Sequence, residues 1–486
     1  MKRALTLLPA LALSACVVGP NYTRPADPPV STGSFSEVPK APAAASTTAL
    51  PDRWWRLYDD PVVDRLVGAA LKHNTDIRVA AANLVRARAV LSEQKGARLP
   101  STDISASYAR RRFGTGAALG AGGIGAGGAS TQPFETDLFS GGFDASYEVD
   151  LFGGVTRAIE AARGDTEAAA AQLDAARVSV AAETARAYAA ACGNAAQRAV
   201  AADTVKLQQQ TLNLTNTLFT AGRGTRRDVE RADVLLAQTQ ATIPTFEAER
   251  RASLYALATL TGLPPEQIDA DADRCATPPR VDAVLPVGDG AALLSRRPDV
   301  RAAERKLAAD TARVGVAIAA LYPKITLAGN VSVAGTSLSQ ATSANALSFS
   351  LGPLISWSFP NQTVARAQLR QARAGADASL ATFDGAVLTA LKEVEQALAR
   401  YAGELDRNAA LRRGVASSDA AAKLSRLRFD YGADSFLLLI DAERDRASAR
   451  AALAASDAAV SDAQISLFKA LGGGWQDAPA PERQPR

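Results

Sequence analysis

Three cysteines, one histidine and a short run of aspartates are the side chains through which this 486-residue chain could make or break bonds. His73 is the lone imidazole and sits in a segment of helical periodicity, where it reads as a surface residue. Ser14, Ser92 and the other hydroxyls therefore have no second histidine to activate them, and no hydrolytic constellation assembles. Asp269, Asp271 and Asp273 alternate in a predicted loop, but a calcium loop needs further oxygen ligands and a spaced glycine that are missing, so they are expected only to solvate it. The cysteines form no cluster of metal-ligand spacing. The glycine-rich stretch 114–133 lacks the Lys-Ser/Thr of a phosphate-binding loop and reads as an exposed loop. No cofactor, no metal and no enzymatic activity are expected. Less Lys2 and Arg3, the 54 Lys and Arg side chains stand almost level with 50 acidic ones, which argues against a nucleic-acid partner.

Cys16 differs from the other two cysteines in what precedes it. Lys2 and Arg3 form a positive start, and Leu5 to Leu13 is mostly Leu and Ala. That run is too short to span a bilayer and reads as the apolar region of a leader. Leu13-Ser14-Ala15-Cys16 resembles a bacterial lipobox, by which Cys16 becomes the acylated first residue of the mature chain. The competing reading is an ordinary leader with a chance cysteine. Acyl chains contribute about 0.8 kcal/mol per buried methylene, so several of them anchor firmly. Val17, where an aspartate would retain a lipoprotein at the inner membrane, matches an outer-membrane destination in the same resemblance. Cys192 and Cys275 remain, and in an oxidising compartment they either pair, the favoured reading, or stand as two inert buried thiols.

The chain is written twice. "NTDIRVAAANLVRARA" (74–89) matches "RPDVRAAERKLAADTA" (297–312), with Asp76 over Asp299 and Arg78 over Arg301. "FTAGRGTRRDVERADVLLAQTQA" (219–241) matches "FDYGADSFLLLIDAERDRASARA" (429–451), each passing from an aromatic through a glycine turn into a helix. A repeat unit of this length is a duplication and not a solenoid. Each half opens with a helix, over about 61–95 and 290–321, that stops before a proline. Two segments of period two follow. Ile104, Ala106 and Tyr108 alternate with Asp103, Ser105 and Ser107, and Val331 and Val333 alternate with Asn330 and Ser332. Four such segments, apolar on one face and polar on the other, suit a transmembrane barrel, and equally suit hairpins on a soluble sheet. Then come long helical runs free of proline. At 1.5 Å per residue, 155–221 would reach roughly 100 Å, far beyond an ordinary globular core.

The predicted division is a leader over 1–15, a lipid-anchored tether over 16–60 and a first repeat over 61–262. That repeat holds strands at 101–112 and 142–152 and helices at 155–221 and 225–262. A connector covers 263–290 and the second repeat 291–471, with strands at 323–335 and 346–359, helices at 361–431 and 435–471, and a tail over 472–486.

Six stretches together resemble the TolC-like outer-membrane efflux proteins, in their NodT-type lipoprotein branch. They are "RPDVRAAERKLAADTARVGVAIAALYPKITLAG" (297–329), "YEVDLFGG" (147–154), "LSFSLGPLISWSF" (347–359), "ALATLTGLPP" (256–265), "LKEVEQALARY" (391–401) and "LFKALGGGW" (467–475). The resemblance implies an α+β membrane protein. Three protomers of four strands each would form a twelve-stranded outer-membrane β-barrel, continuous with a long periplasmic α-helical barrel. It implies a passive duct for small toxic compounds, opened at its periplasmic end, with a homotrimer, a periplasmic adaptor, a resistance-nodulation-division pump and outer-membrane lipid as partners. It also implies gate positions. Leu437 and Asp441 fall at the family's constriction, four residues apart and so on one side of a helix. Asp228 matches an acid of the closed-state lock, but Phe429 and Asp434 occupy its partners' positions, where one cannot donate a hydroxyl and the other repels. Arg226, Arg227 or Arg231 is the expected substitute, while the plainer reading pairs Asp441 with Arg444 or Arg446 on the surface. Two further readings stand beside the drug-efflux duct: the duct of a type I protein secretion system, and a spacer lipoprotein without a pore.

Overall fold

The computed structural model describes residues 17–26, 33–41, 44–113 and 133–480. The expected leader, with Cys16, and most of the glycine-rich loop lie outside the described residues. The chain divides into two compact units, one built on Arg86–Thr166 and Lys306–Leu380 with the N-terminal residues to Arg24, the other on Pro25–Val85, Glu167–Arg305 and Ala381–Arg486.

In the larger unit, the segment expected as an extended tether is folded. Phe35, Val38, Trp54, Trp55 and Tyr58 are buried, and Trp54 stacks on Phe468 at 4.9 Å between ring centroids. β1 (Ala45–Ser46) pairs in parallel with β4 (Leu285–Pro286). Two carboxylates fasten the backbone on either side: Glu395 accepts from the Ser36 and Glu37 N–H groups at 2.6 and 3.2 Å, and Asp52 accepts from those of Gly474, Gln476 and Asp477. The last contacts show that the expected tail begins docked. Abundant Pro, Ser and Ala had hidden a widely spaced apolar set with enough area to pack.

The helix expected over 61–95 is two, α1 (Pro61–His73) and α2 (Thr75–Gly96), because Asn74 turns its side chain to the backbone. Its Oδ1 accepts from the Asp76 N–H at 2.8 Å and caps α2, while its Nδ2 donates to the Leu260 carbonyl at 3.0 Å. The equivalent residue of the second repeat, Arg297, separates α7 (Gly290–Arg296) from α8 (Pro298–Ala319) and donates to the Ala470 carbonyl at 2.9 Å. Leu260 and Ala470 end the returning helices α5 (Thr242–Leu260) and α11 (Phe436–Ala470). Two residues beyond each end, Gly262 and Gly472 have φ of 79° and 68°, and a Cβ there would lie 2.8 Å from the His73 carbonyl oxygen and 2.9 Å from Arg297 Cγ. Duplication is thus carried down to a shared joint, in which a helix end docks on a helix break.

The long helices α3 (Gly154–Thr220), of 67 residues, and α10 (Thr363–Asp430), of 68, lead into the two hairpin turns. The helix expected over 225–262 is interrupted: α4 (Arg226–Gln240) ends at Ala241, and Pro244 falls in the first turn of α5, where its missing N–H would have had no partner. Both hairpin turns close alike. Gly222 and Gly432 take φ of 70° and 73°, and the next residues, Arg223 and Ala433, donate back to the Leu218 and Arg428 carbonyls.

The smaller unit holds a four-stranded antiparallel sheet in the order β2 (Ser101–Phe113), β3 (Phe134–Val149), β5 (Lys324–Gly335), β6 (Leu347–Ser356). β3 starts eight residues before the expected 142. The strand runs through Ser140-Gly141-Gly142, and a Cβ on Gly142 would lie 3.3 Å from Ser105 Oγ, so the glycine suits the close approach of β2. The loop before β6 contains a short helix, α9 (Leu338–Ala341), capped by Ser337.

Cys192 of α3 and Cys275, just after α6 (Ala270–Asp273), form a disulfide with Cα atoms 5.1 Å apart, closing a loop over a sequence separation of 83. On the chain-entropy account a loop of that length stabilises by about 4.5 kcal/mol. Cys192→Ala should therefore lower the melting temperature by several degrees, and reducing the wild type should lower it equally. An identical melt for oxidised and reduced protein would show that the bond carries no stability.

Candidate functional site

Through its middle rows the sheet separates an apolar face from a polar one. One lateral row reads Ile104, Phe143, Val331, Phe349 across the four strands, and the adjacent row reads Asp103, Asp144, Asn330, Ser350. On the apolar face Ile104 is 86 % and Phe349 80 % exposed, a cost that water would impose and hydrocarbon would remove. Tyr108 and Phe139 meet on the same face at 4.9 Å. The polar face is hydrogen-bonded across strands: Asn330 Nδ2 donates to Asp144 at 2.6 Å, Ser107 meets Ser140 at 2.7 Å, and Lys324 pairs with Glu148 at 2.7 Å. β2 and β6 are its edges. Among the described residues no helix is long and apolar enough to cross a membrane.

In the larger unit the two hairpin turns flank a cleft of about 500 Å³ whose lining includes Asp228, Phe429 and Asp434. The three expected lock positions thus come together, but with different partners. Asp228 closes a capping box with Thr225, accepting from its N–H at 3.1 Å and its hydroxyl at 2.6 Å. Asp434 is neutralised by Arg428 at 2.9 Å, which removes the expected repulsion. Arg226 is bound to Glu230 at 2.6 Å, not to Asp228. Arg231 lies exposed on α4. On α11, Leu437 is 46 % exposed and Asp441 approaches Arg444 at 3.9 Å, a loose surface pair worth little. Arg446 is taken by Glu443. Sequence reasoning missed Glu443, which is buried so that desolvation pushes its carboxyl up, against the pull of Arg446, Arg426 and Arg450. Its only signal was the i,i+3 spacing to Arg446.

The aspartates expected merely to solvate a loop are structural. Asp269 caps α6 and binds Arg65 at 2.5 Å, Asp271 binds Arg65 at 2.8 Å, and Asp273 binds Arg250 at 2.6 Å. The Arg65 guanidinium and the α6 N–H groups hold the Asp269 carboxyl down, to about 2. Among the described residues no group of acids, cysteines and histidines could hold a metal ion.

A face of bare apolar side chains backed by a wetted one, with long proline-free helices, is the arrangement of a membrane duct, and comparison decides which. The outer membrane efflux protein model matches residues 66–263 and 291–473, one match for each repeat. The chain belongs to that family. It is 30% identical to nodulation protein T of Rhizobium leguminosarum bv. trifolii, over 96% of both chains, and 30% identical to outer membrane protein OprJ of Pseudomonas aeruginosa, over 97% of this chain and 95% of that one. Among solved structures it resembles the outer-membrane channel OprN, with a TM-score of 0.87 and 35% identity over 95% of this chain and all of that one. The open state of the Neisseria gonorrhoeae MtrE channel gives a TM-score of 0.81 at 28% identity, over 96% of this chain and all of that one. This chain is an outer-membrane efflux channel.

Two outcomes follow. Val331→Arg, on the apolar face, should cost about 2–4 kcal/mol near the bilayer midplane and deplete folded protein from outer membranes, while Ser332→Arg on the other face should leave that amount unchanged; heat-modifiable mobility reads both. The Asp269 carboxyl titrates lower in the folded chain than in the unfolded one, so its stabilisation is present above about pH 4 and is lost as pH falls toward 2. Melting temperature should thus fall more steeply between pH 4 and 2 in the wild type than in Asp269→Asn.

Proposed function

We propose that three copies of this chain close into a twelve-stranded barrel in the outer membrane, continued by their helices as a periplasmic tunnel, and that the assembly is the passive outer duct of a tripartite export pump. The observation that carries this reading is the sheet with two unpaired edges and one exposed apolar face. Four strands are too few to enclose a lumen, and a bare edge in hydrocarbon leaves N–H and C=O groups with no partner. Joining β2 of one copy to β6 of the next satisfies both requirements. Monomers should then be unstable in the membrane, so that trimer and barrel form together. Cys16 carries the lipid that anchors each copy.

The duct performs no chemistry. Its cargo is small toxic compounds, delivered by an inner-membrane pump of the resistance-nodulation-division type through a periplasmic adaptor, and selection among cargoes belongs to the pump. Leu437 and Asp441 form the periplasmic constriction, an apolar ring followed by an acidic one. The loose 3.9 Å pairing of Asp441 with Arg444 supports this, because it leaves the carboxylate able to face a neighbour. The helix pair at the tips rotates to open, biased by a partner that prefers the open form. Asp228 and Arg231 take part in closure through neighbouring helices.

Single-channel recording in planar bilayers tests the pore and the gate separately. Wild type should show a small conductance that rises several-fold in Asp441→Ala. A large conductance unchanged by the substitution would move the gate elsewhere, and no conductance from inserted protein would overturn the duct.

A further inference from the structure

The first described residues of the chain occupy a site of their own in the smaller unit. Arg157, in the first turn of α3, is 4 % exposed. Its Nε donates to the Val18 carbonyl at 3.1 Å, and its Nη2 donates to the Gly19 carbonyl at 3.1 Å and to Asn21 Oδ1 at 2.8 Å. Nη1 is held by Glu160 at 2.7 Å. In return the Val18 N–H donates to the Phe152 carbonyl at 3.2 Å. Three glycines make the approach possible. Gly19 has φ of 96°, and a Cβ there would lie 2.5 Å from Gly315 Cα; a Cβ on Gly153 would lie 2.8 Å from Val17 Cα; a Cβ on Gly315 would lie 2.8 Å from Arg157 Cγ. A segment that only crossed a surface would not need a buried donor fork aimed at its carbonyls, nor backbone contact on two sides. Without Val17–Asn21, the buried guanidinium would keep unpaired donors, which is strongly unfavourable.

We propose that Arg157, Gly153 and Gly315 form a socket for the chain's own mature N-terminus, which recognises the backbone of Val17–Gly19 and the Asn21 amide and moors Cys16 at the base of the sheet. The mooring half of this rests on the reading of Cys16 as the acylated residue. Phe152, whose carbonyl receives Val18, stacks on Tyr322 at 4.6 Å, an aromatic pair suited to a membrane interface. The socket therefore holds Val17 and Val18 beside that aromatic pair, and Arg157 is a positioning residue.

The test is hydrogen–deuterium exchange on full-length protein purified from outer membranes, with mass analysis of its N-terminal peptide. Exchange over residues 18–22 should be slow in the wild type, at least tenfold faster in Arg157→Gln and in Gly19→Val, and intermediate in Arg157→Lys, with β3 and β5 unchanged in all. Gly19→Val leaves α3 intact and carries the test if Arg157→Gln does not fold. Free-chain exchange in the wild type, or no change in the variants, would overturn the socket. An unmodified Cys16 on a protected segment would overturn the mooring alone.

Discussion

Every strand edge in hydrocarbon must find a partner, because lipid offers none to an N–H or a C=O. The smaller unit presents that requirement openly: β2 and β6 end the sheet, and the row Ile104, Phe143, Val331, Phe349 faces outward with no protein over it. A soluble sheet would blunt such edges with charge or cover them. Here the edges are long and the neighbouring row, Asp103 to Ser350, is polar, which is what the proposed closed wall answers. The pairing of β3 with β5 joins the hairpins of the two repeats and leaves only β2 and β6 as edges.

Much of this was legible because period two and proline-free length survive in any context. Ile104, Ala106 and Tyr108 against Asp103, Ser105 and Ser107 mark a strand without help, and so do the long runs that became α3 and α10. Breaks were harder to read. Asn74 and Pro244 interrupt helices whose composition is otherwise uniform, and a side chain that caps from mid-run leaves no compositional mark. The N-terminal segment misled for another reason. Its Phe35, Val38 and Leu50 are too widely set among Pro, Ser and Ala to show periodicity, yet they are buried together with the compact Trp54, Trp55 and Tyr58 turn that follows. The Arg65 pairings with Asp269 and Asp271 span some two hundred residues and could not be foreseen from a local cluster. At the first hairpin turn, Thr225-Arg226-Arg227-Asp228 carries the spacing of a capping box, a local signal that gives Asp228 a partner three residues away.

The duplication has kept its joints and changed their chemistry. Asn74 makes its joint with one amide, whereas Arg297 makes the equivalent one with a buried guanidinium that also grips Asp299 and Glu393 at 2.6 and 2.8 Å. The first is a neutral clasp and the second an ionic hub that further helices share. Two halves that match in backbone therefore differ in how firmly each returning helix is held to its base.

The disulfide adds a topological difference between the halves. From Cys192 through the turn at Gly222 and back to Cys275, the first hairpin is a covalent ring, while Ala402 stands at the position of the second hairpin equivalent to Cys192. A ring can bend or twist, but its two legs cannot drift apart at the closed end, whatever force acts on the tip. The second hairpin has no such covalent closure, and its legs are tied only by packing and by reversible bonds such as Arg450 to Asp419 at 2.8 Å and Arg412 to Asp457 at 3.0 Å. In mechanical terms the first repeat is a stiff spring and the second a compliant one, and strain applied to the tips is taken up by the second.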